Sequence, residues 1–485
     1  MQTTKRWQER VINGDTTLRL HLMGIGGAGL SAIAKVLLER GFLVSGSDRR
    51  LGANTVALQA DGALLLEEQA ENLATLSNAE PQRRPDVVLI SSAVPPTNAE
   101  VQVYRSAGIP VVKRDDFLPV LLANRKLIAV AGSHGKSTTT SMIVRVLKEA
   151  GIDIGYIIGA ELSGYGNASA GSSPYFVLEA DEYDHMFLGL NPTAAVITNV
   201  EWDHPDCYPT PESFHAAFAK FVEKVDAHGL IVSCADDSGA EQLRLERPLS
   251  DRRWITYGLT LAADIAGLNP SMTLNQQLCA DLYWWNAPKG QICLQAPGLH
   301  NLRNALAALA IACYCDAPLE RAVESLQSFS GAARRFERLG EVNDILVIDD
   351  YAHNPTKVRA TLAAARSRYP QRRIWAVVQP HTYSRTRSLL QPLADSFGDA
   401  NRVVVTDIYA AREVDDSTVH ARDVVAASPH PAIQHIGSLE EVVNHLAGAC
   451  AAGDLVLVMG AGDSNKIGPA LLHALQAKQA NKVSQ

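Results

Sequence analysis

Apolar residues in this chain fall into short runs separated by longer stretches of helical period. Leu18 to Met23 alternates apolar and polar positions as a strand does. It runs into Gly24-Ile-Gly-Gly-Ala-Gly29, a helical stretch from Leu30 to Arg40, and a second strand from Phe42 to Asp48. Asp86–Ser91 and Ile109–Lys113 are further apolar runs in this first block. A second block opens near Arg125 with Leu127–Val130, a helix from Thr138 to Lys148, and strands at Tyr175–Glu179 and Ala194–Asn199. Between Cys234 and Ala296 the pattern loosens into short strands such as Gln291–Gln295, and then an Ala-rich helix spans Asn301–Tyr314, with another through Leu326. Ser330–Ala333 reads as a hinge. The third block alternates again, with strands at Ile345–Asp349, Ile374–Val378, Arg402–Thr406 and Asp454–Met459, and a tail expected to fray after Ala477. Strands alternating with helices predict parallel sheets with helices on their faces. The expected division is 1–122, 123–331 and 332–485, in keeping with about 150 residues per domain.

Composition narrows the class. A net charge of −8 and a pI near 6.0 argue against a nucleic-acid or anionic-membrane surface. The seven cysteines are odd in number and scattered, which suits a reduced cytoplasm better than a disulfide framework. Cys313 and Cys315 lie in the Ala-rich helix and read as small buried hydrophobes. Met1–Asp15 is polar, without the apolar core of a signal peptide, and no apolar stretch reaches the ~18 residues of a membrane span. A soluble, cytoplasmic protein is expected.

The richest segment is Gly132-Ser-His-Gly-Lys-Ser-Thr138, between an apolar strand and a helix. Backbone N–H groups and a positive helix end converge there, which suits phosphate. Lys136 can reach the β- and γ-phosphates of a nucleotide, and the Ser137 hydroxyl can hold Mg²⁺. Glycines 24, 26 and 29 form a second such turn, with Asp48 ending the next strand. It demands only a diphosphate, and a nicotinamide cofactor or a nucleotide-sugar would satisfy it equally. Glu179-Ala-Asp-Glu182 ends a strand beside the phosphate loop, where a carboxylate can hold Mg²⁺. His204 closes the next strand end and could give nitrogen to a second ion. Asp349–His353 and Gln379–Arg387 end strands of the third block, and Arg385 or Arg387 could fork onto a carboxylate.

Taken together, these segments resemble the Mur ligases, ATP-dependent amide-bond-forming enzymes of peptidoglycan synthesis. The matching residues are the phosphate loop, Glu179–Glu182, Thr198–His204, His300-Asn-Leu-Arg-Asn304, Arg334-Arg-Phe336 and Asp349–His353. Met23–Ser31, Ser91–Val94 and Gln379–Arg385 resemble the member that adds the first amino acid, L-alanine; the one that recycles a murein tripeptide shares the Gly-rich start, and Gln379–Arg385 favours alanine addition. The resemblance implies three α/β domains: an N-terminal Rossmann-like UDP-binding domain, a central P-loop ATPase-like domain and a C-terminal Rossmann-like domain that closes over the site. It implies that the carboxylate of UDP-N-acetylmuramate attacks the γ-phosphate of ATP, and that L-alanine then displaces phosphate from the acyl phosphate. Residue by residue, Ser137, Glu179 and His204 would be metal ligands, with Lys136, Glu179, His204, His353 and Arg385 the catalytic set. Gly132, Ser133, His134, Gly135, Lys136, Ser137 and Thr138 would cradle phosphates, Asn304 would meet adenine, Arg335 the phosphates and Asp350 the ribose side. Gly24, Gly26, Gly27, Gly29 and Ser91 would hold the UDP-sugar, and Arg385 and Arg387 a substrate carboxylate. Asn354 and Lys357 stand where members often carry histidine and glutamate. A nicotinamide oxidoreductase would leave the phosphate loop unexplained, and a switching NTPase would need no amino acid.

Overall fold

The computed structural model describes residues 4–49, 52–67, 84–247, 251–329, 331–411, 413–415 and 417–483. It separates into two compact units. The first holds Met1–Glu201, His215–Tyr257 and Ala307–Ser325; the second holds Trp202–Phe214, Gly258–Leu306 and Leu326–Gln485.

The first unit contains two parallel sheets. One consists of β1 (Arg19–Met23), β2 (Leu43–Asp48), β3 (Leu64–Glu67), β4 (Val87–Ile90) and β5 (Val111–Val112), in the order β3-β2-β1-β4-β5. Its helix Ala28–Glu39 buries Leu30, Ile33, Val36 and Leu37, a helical spacing that fixes one face inward. Strand order reverses beside β1, so the Gly-rich turn leaves the sheet at a switch point, where α/β folds receive ligands. The second sheet uses β6 (Lys126–Ala131), β7 (Gly155–Leu162), β8 (Gly166–Ser169), β9 (Tyr175–Glu179), β10 (Ala194–Ile197), β11 (Leu230–Cys234) and β12 (Arg253–Gly258). Their order is β12-β11-β10-β6-β9-β7-β8, and within this run only the β7–β8 pair is antiparallel. The C-terminal ends of β6, β9 and β10 therefore gather side by side, carrying the phosphate loop, Glu179 and the segment after Ile197.

In the second unit β13 (Ile265–Met272), β14 (Leu278–Trp284) and β15 (Ala287–Leu294) pair antiparallel. These strands are longer than the loosened sequence pattern predicts. A further sheet holds β16 (Glu337–Val342), β17 (Ile345–Asp350), β18 (Arg373–Val378), β19 (Arg402–Val405), β20 (Ile433–His435) and β21 (Asp454–Met459), ordered β16-β17-β21-β18-β19-β20. Both faces are apolar because both are covered. Leu346, Ile348 and Leu457 pack with Val358 and Leu362 on one side. Val347, Val456 and Trp375 pack with Leu446, Ile467 and Leu471 on the other.

Two sequence expectations need correction. The tail expected to fray after Ala477 is helical as far as Val483, within helix Ile467–Val483, whose Ile467, Leu471 and Leu475 are buried on the sheet. Nor are all the cysteines thiols. Cys279 on β14 faces Cys293 on β15 directly, with Cα atoms 4.0 Å apart, and the two form a disulfide. A count of cysteines cannot show a cross-strand register. Cys315 is buried as expected while Cys313 is only half-buried; burial raises both thiols, Cys315 to about 12. Among the described residues, no helix is long and apolar enough to cross a membrane.

Candidate active site

The phosphate loop is built by two glycines and by the strand ends beside it. Gly132 adopts φ +142°, and a Cβ there would lie 1.9 Å from Thr198 Oγ1, so only glycine fits. Gly135 adopts φ +81° as the N-cap of helix Lys136–Glu149, which starts two residues before the expected Thr138. The segment after β10 holds the loop in shape. Asn199 Oδ1 accepts from the His134 amide at 2.8 Å, Thr198 Oγ1 donates to the His134 carbonyl at 2.6 Å, and the Glu201 amide donates to Ser133 Oγ at 3.0 Å. His134 Nε2 lies 2.7 Å from Glu201.

Acidic groups complete this constellation. Lys136 Nζ reaches Glu182 at 2.7 Å, and the two side chains are 14% and 2% exposed. Burial works against the ammonium, but Glu182, Asp181 and Glu179 together outweigh it and hold the Lys136 pKa above its usual value. Glu179 accepts from Ser137 Oγ at 2.9 Å and from the Gly159 amide at 2.7 Å. Ser137 and Glu179 thus present a hydroxyl and a carboxylate together, the hard oxygen donors that Mg²⁺ takes. His204, the third proposed ligand, belongs to the other unit. No group of three or more His, Cys, Asp or Glu side chains suited to a metal occurs among the described residues.

The Gly-rich turn after β1 is similarly pinned. Gly24 and Ile25 donate their amides to the Ser47 carbonyl, at 2.7 and 3.2 Å. The Gly26 amide donates to Asp48 Oδ2 at 2.9 Å, so the acid at the end of β2 shapes the turn itself. Ser91 follows β4, and its Cβ comes within 3.1 Å of where a Gly24 Cβ would stand. Beneath the turn, buried Glu100 accepts from Ser47 Oγ at 2.9 Å and meets His21 Nε2 at 3.0 Å.

In the second unit Arg385 is the hub. Its Nε donates to Asp203 at 2.9 Å, Nη1 meets His381 Nδ1 at 3.0 Å, and Nη2 meets His204 Nδ1 at 3.2 Å. A guanidinium can only donate, so both imidazoles must offer lone pairs at Nδ1. Burial and Arg385 hold the His381 pKa down to about 4. Burial, Lys357, Arg385 and His381 keep His353 well below the usual range, and its Nδ1 lies 2.7 Å from the Tyr351 carbonyl. His353 therefore donates at Nδ1 and keeps its lone pair at Nε2. Although burial opposes it, Arg385 holds Asp203 ionised, well below the usual carboxylate range. Thr382, a β-branched residue at φ +62°, caps the helix that carries Arg385, a strained conformation of the kind that gathers at functional sites.

The remaining expected residues are spread more widely. Arg335 lies 4.7 Å above the Tyr351 ring. Asp350 accepts amide bonds from Phe336 at 2.8 Å and Ala352 at 2.7 Å, which clamps the Arg334–Phe336 turn to the end of β17. Asn304 is buried and donates to Asn301 at 3.3 Å. Arg387 is exposed while Arg385 is buried; two residues apart on one helix, they do not form a pair. The sequence reading missed Glu182 as the partner of Lys136, Asn199 and Glu201 as supports of the loop, and Asp203 as the partner of Arg385. All four lie inside the motifs quoted above, and their motif positions were the available signal.

A Gly-rich loop that opens a helix beside acidic strand ends, with a second Gly-rich turn at the switch point of another sheet, is an arrangement suited to phosphate-bearing ligands. Family profiles agree along nearly the whole chain: Mur ligase family, catalytic domain, at residues 19–126; Mur ligase middle domain at 130–312; and Mur ligase, glutamate ligase domain, at 334–462. The chain belongs to the Mur ligase family. It is 41% identical to UDP-N-acetylmuramate–L-alanine ligase of Frankia casuarinae, covering 96% of this chain and 99% of that one. The Roseiflexus protein of the same name is 38% identical over 95% and 99%. Among solved structures, UDP-N-acetylmuramate-alanine ligase from Thermotoga maritima aligns with a TM-score of 0.78 at 26% identity, over 95% of this chain and all of that one. A murein peptide ligase from Psychrobacter arcticus aligns with a TM-score of 0.69 at 25% identity, over 94% and 98%.

Proposed function

We propose that this chain is an ATP-dependent ligase that joins L-alanine to the carboxylate of UDP-N-acetylmuramate, in the cytoplasm, for peptidoglycan synthesis. The observation that carries the reading is the 41% identity, over 96% of the chain, to a relative bearing that activity in its name. We keep the domain limits 1–122, 123–331 and 332–485.

In this reading the Gly24–Gly29 turn and Ser91 hold the UDP-sugar, and Gly132–Thr138 cradle the phosphates of ATP. Asn304, Arg335 and Asp350 serve adenine, phosphate and ribose. Ser137 and Glu179 would hold Mg²⁺, with His204 as a further donor, and the ion when bound neutralises charge on the phosphates. The chemical obstacle is that a carboxylate anion must approach a phosphoryl group that is itself anionic. Lys136 offsets that repulsion with a cation held in place before substrate arrives, so the protein contributes charge and position rather than a covalent intermediate. A carboxylate oxygen bonds to the γ-phosphorus as the bond to ADP breaks. The alanine nitrogen then attacks the acyl carbon, and phosphate leaves. The amine must be neutral before it attacks, and His353 stands near the reacting groups in this reading. Arg385 orients a substrate carboxylate.

Phosphate release from ATP tests the reading, with UDP-N-acetylmuramate present and either L-alanine, an L-Ala-γ-D-Glu-diaminopimelate tripeptide, or no amine. Release that requires L-alanine supports it. Release only with the tripeptide makes the chain a recycling ligase, and release indifferent to both returns it to a bare NTPase.

A further inference from the structure

A cation that the motifs do not include stands beside the Gly-rich turn. Arg114 opens helix Arg114–Leu121, directly after Lys113 at the N-cap. The same first turn carries Asp115 and Asp116, the acids that suit a positive helix end. Lys113 has an ion pair with Asp184 at 3.0 Å. Arg114 does not have an equivalent one. Its nearest carboxylate oxygen is on Asp181, 3.8 Å from Nη2 and outside hydrogen-bond reach, and its Nε is buried without a hydrogen-bond partner.

The guanidinium lies on Gly29. A Cβ built on that glycine would stand 2.5 Å from Arg114 Nη1, which places the guanidinium over the first turn of helix Ala28–Glu39. On its other side is Asp181, which contributes to the field at Lys136 of the phosphate loop. Arg114 therefore stands between the Gly-rich turn and the phosphate loop, both in the first unit. A planar fork with an unpartnered Nε, placed at a helix start, matches a phosphate better than a lysine would.

We infer that Arg114 is a binding residue for the UDP-sugar and that it grips the distal phosphate of the diphosphate. The inference rests on the reading that the Gly24–Gly29 turn receives a UDP-sugar.

Calorimetric titration of the full chain with UDP and with UMP tests it, using Arg114→Ala and Arg114→Lys beside the parent protein. UMP lacks the distal phosphate, so it reports any general disturbance of the nucleotide site. In Arg114→Ala the Kd for UDP should rise at least about tenfold, the loss expected for a charge-assisted contact, while the Kd for UMP stays within about twofold. Arg114→Lys should fall between, because it keeps the charge and loses the fork. In turnover the same variants should raise KM for UDP-N-acetylmuramate and leave KM for ATP unchanged. UDP binding unaltered by Arg114→Ala, or UDP and UMP weakened alike, overturns the inference. A parent protein that binds no UDP overturns the underlying reading as well, and so separates the two failures.

Discussion

Replacing Asp203 by Asn would remove one charge from a buried ion pair of the second unit and leave shape nearly unchanged. The Arg385 and Asp203 side chains are 7% and 1% exposed, and Nε and Oδ1 are 2.9 Å apart. Arginine does not deprotonate in compensation, and the imidazoles of His204 and His381 accept its other bonds without neutralising it. Unit charges near 4 Å at an effective dielectric of 20 interact by about 4 kcal/mol, and breaking a buried pair by removing one partner costs about 3–5 kcal/mol. Asp203→Asn should therefore lose about 3–5 kcal/mol in urea denaturation. The deficit should hold between about pH 5 and 8, because the depressed Asp203 pKa keeps that carboxylate ionised there and its contribution disappears only in stronger acid. Removing both charges, with Asp203→Leu and Arg385→Met, should restore much of the stability although activity is lost. A single variant within about 1 kcal/mol of the parent, the worth of a surface pair, would refute the reasoning. So would a double variant whose loss equals the sum of the singles.

Other outcomes follow from the same geometry. Lys136→Ala should lower kcat by at least about 10²–10³-fold; Lys136→Met with Glu182→Gln, which removes both charges of that ion pair, should be equally inactive and stably folded, and turnover by either contradicts the loop's role. Burial holds His381 and His300 at about 4, below the ~6.5 of free histidine. Their neutral forms contribute stability that is complete above about pH 6.5 and declines as the pH falls toward 4, by at most about 2.7 kcal/mol per unit for the two. A flat urea-denaturation profile between pH 7 and 5 would contradict this. Thiol titration of the denatured, unreduced protein should find the five free cysteines, and seven after reduction of the Cys279–Cys293 bond; the disulfide should add about 3 kcal/mol, and seven thiols without reductant would contradict it.

What could be read from sequence was what is local. A buried strand, a Gly-rich turn and a helix lie within about twenty residues of each other, so β6, the loop and helix Lys136–Glu149 were legible apart from the helix start. The alternating blocks were legible for the same reason, and so was the α/β class. Partnerships set by tertiary contact were not. Lys136 and Glu182 lie 46 residues apart, and Asp203 and Arg385 lie 182 apart. Many acids could have served either cation until the sheet order brought these together. The Cys279–Cys293 bond depends on register within a hairpin, which composition does not encode. The long C-terminal helix was missed because its polar residues after Ala477 outnumber the apolar ones, while its stability comes from Leu471 and Leu475 on the sheet. Arg114 belongs to no motif, and only its approach to Gly29 reveals it.

The central claim is that the muramoyl carboxylate is phosphorylated before alanine attacks. The most direct measurement is to label that carboxylate with ¹⁸O and analyse the phosphate released in the presence of ATP, Mg²⁺ and L-alanine. One labelled oxygen per phosphate, with release dependent on L-alanine, is the predicted result. Phosphate free of label, formed at the same rate as ligated product, would contradict the acyl-phosphate route.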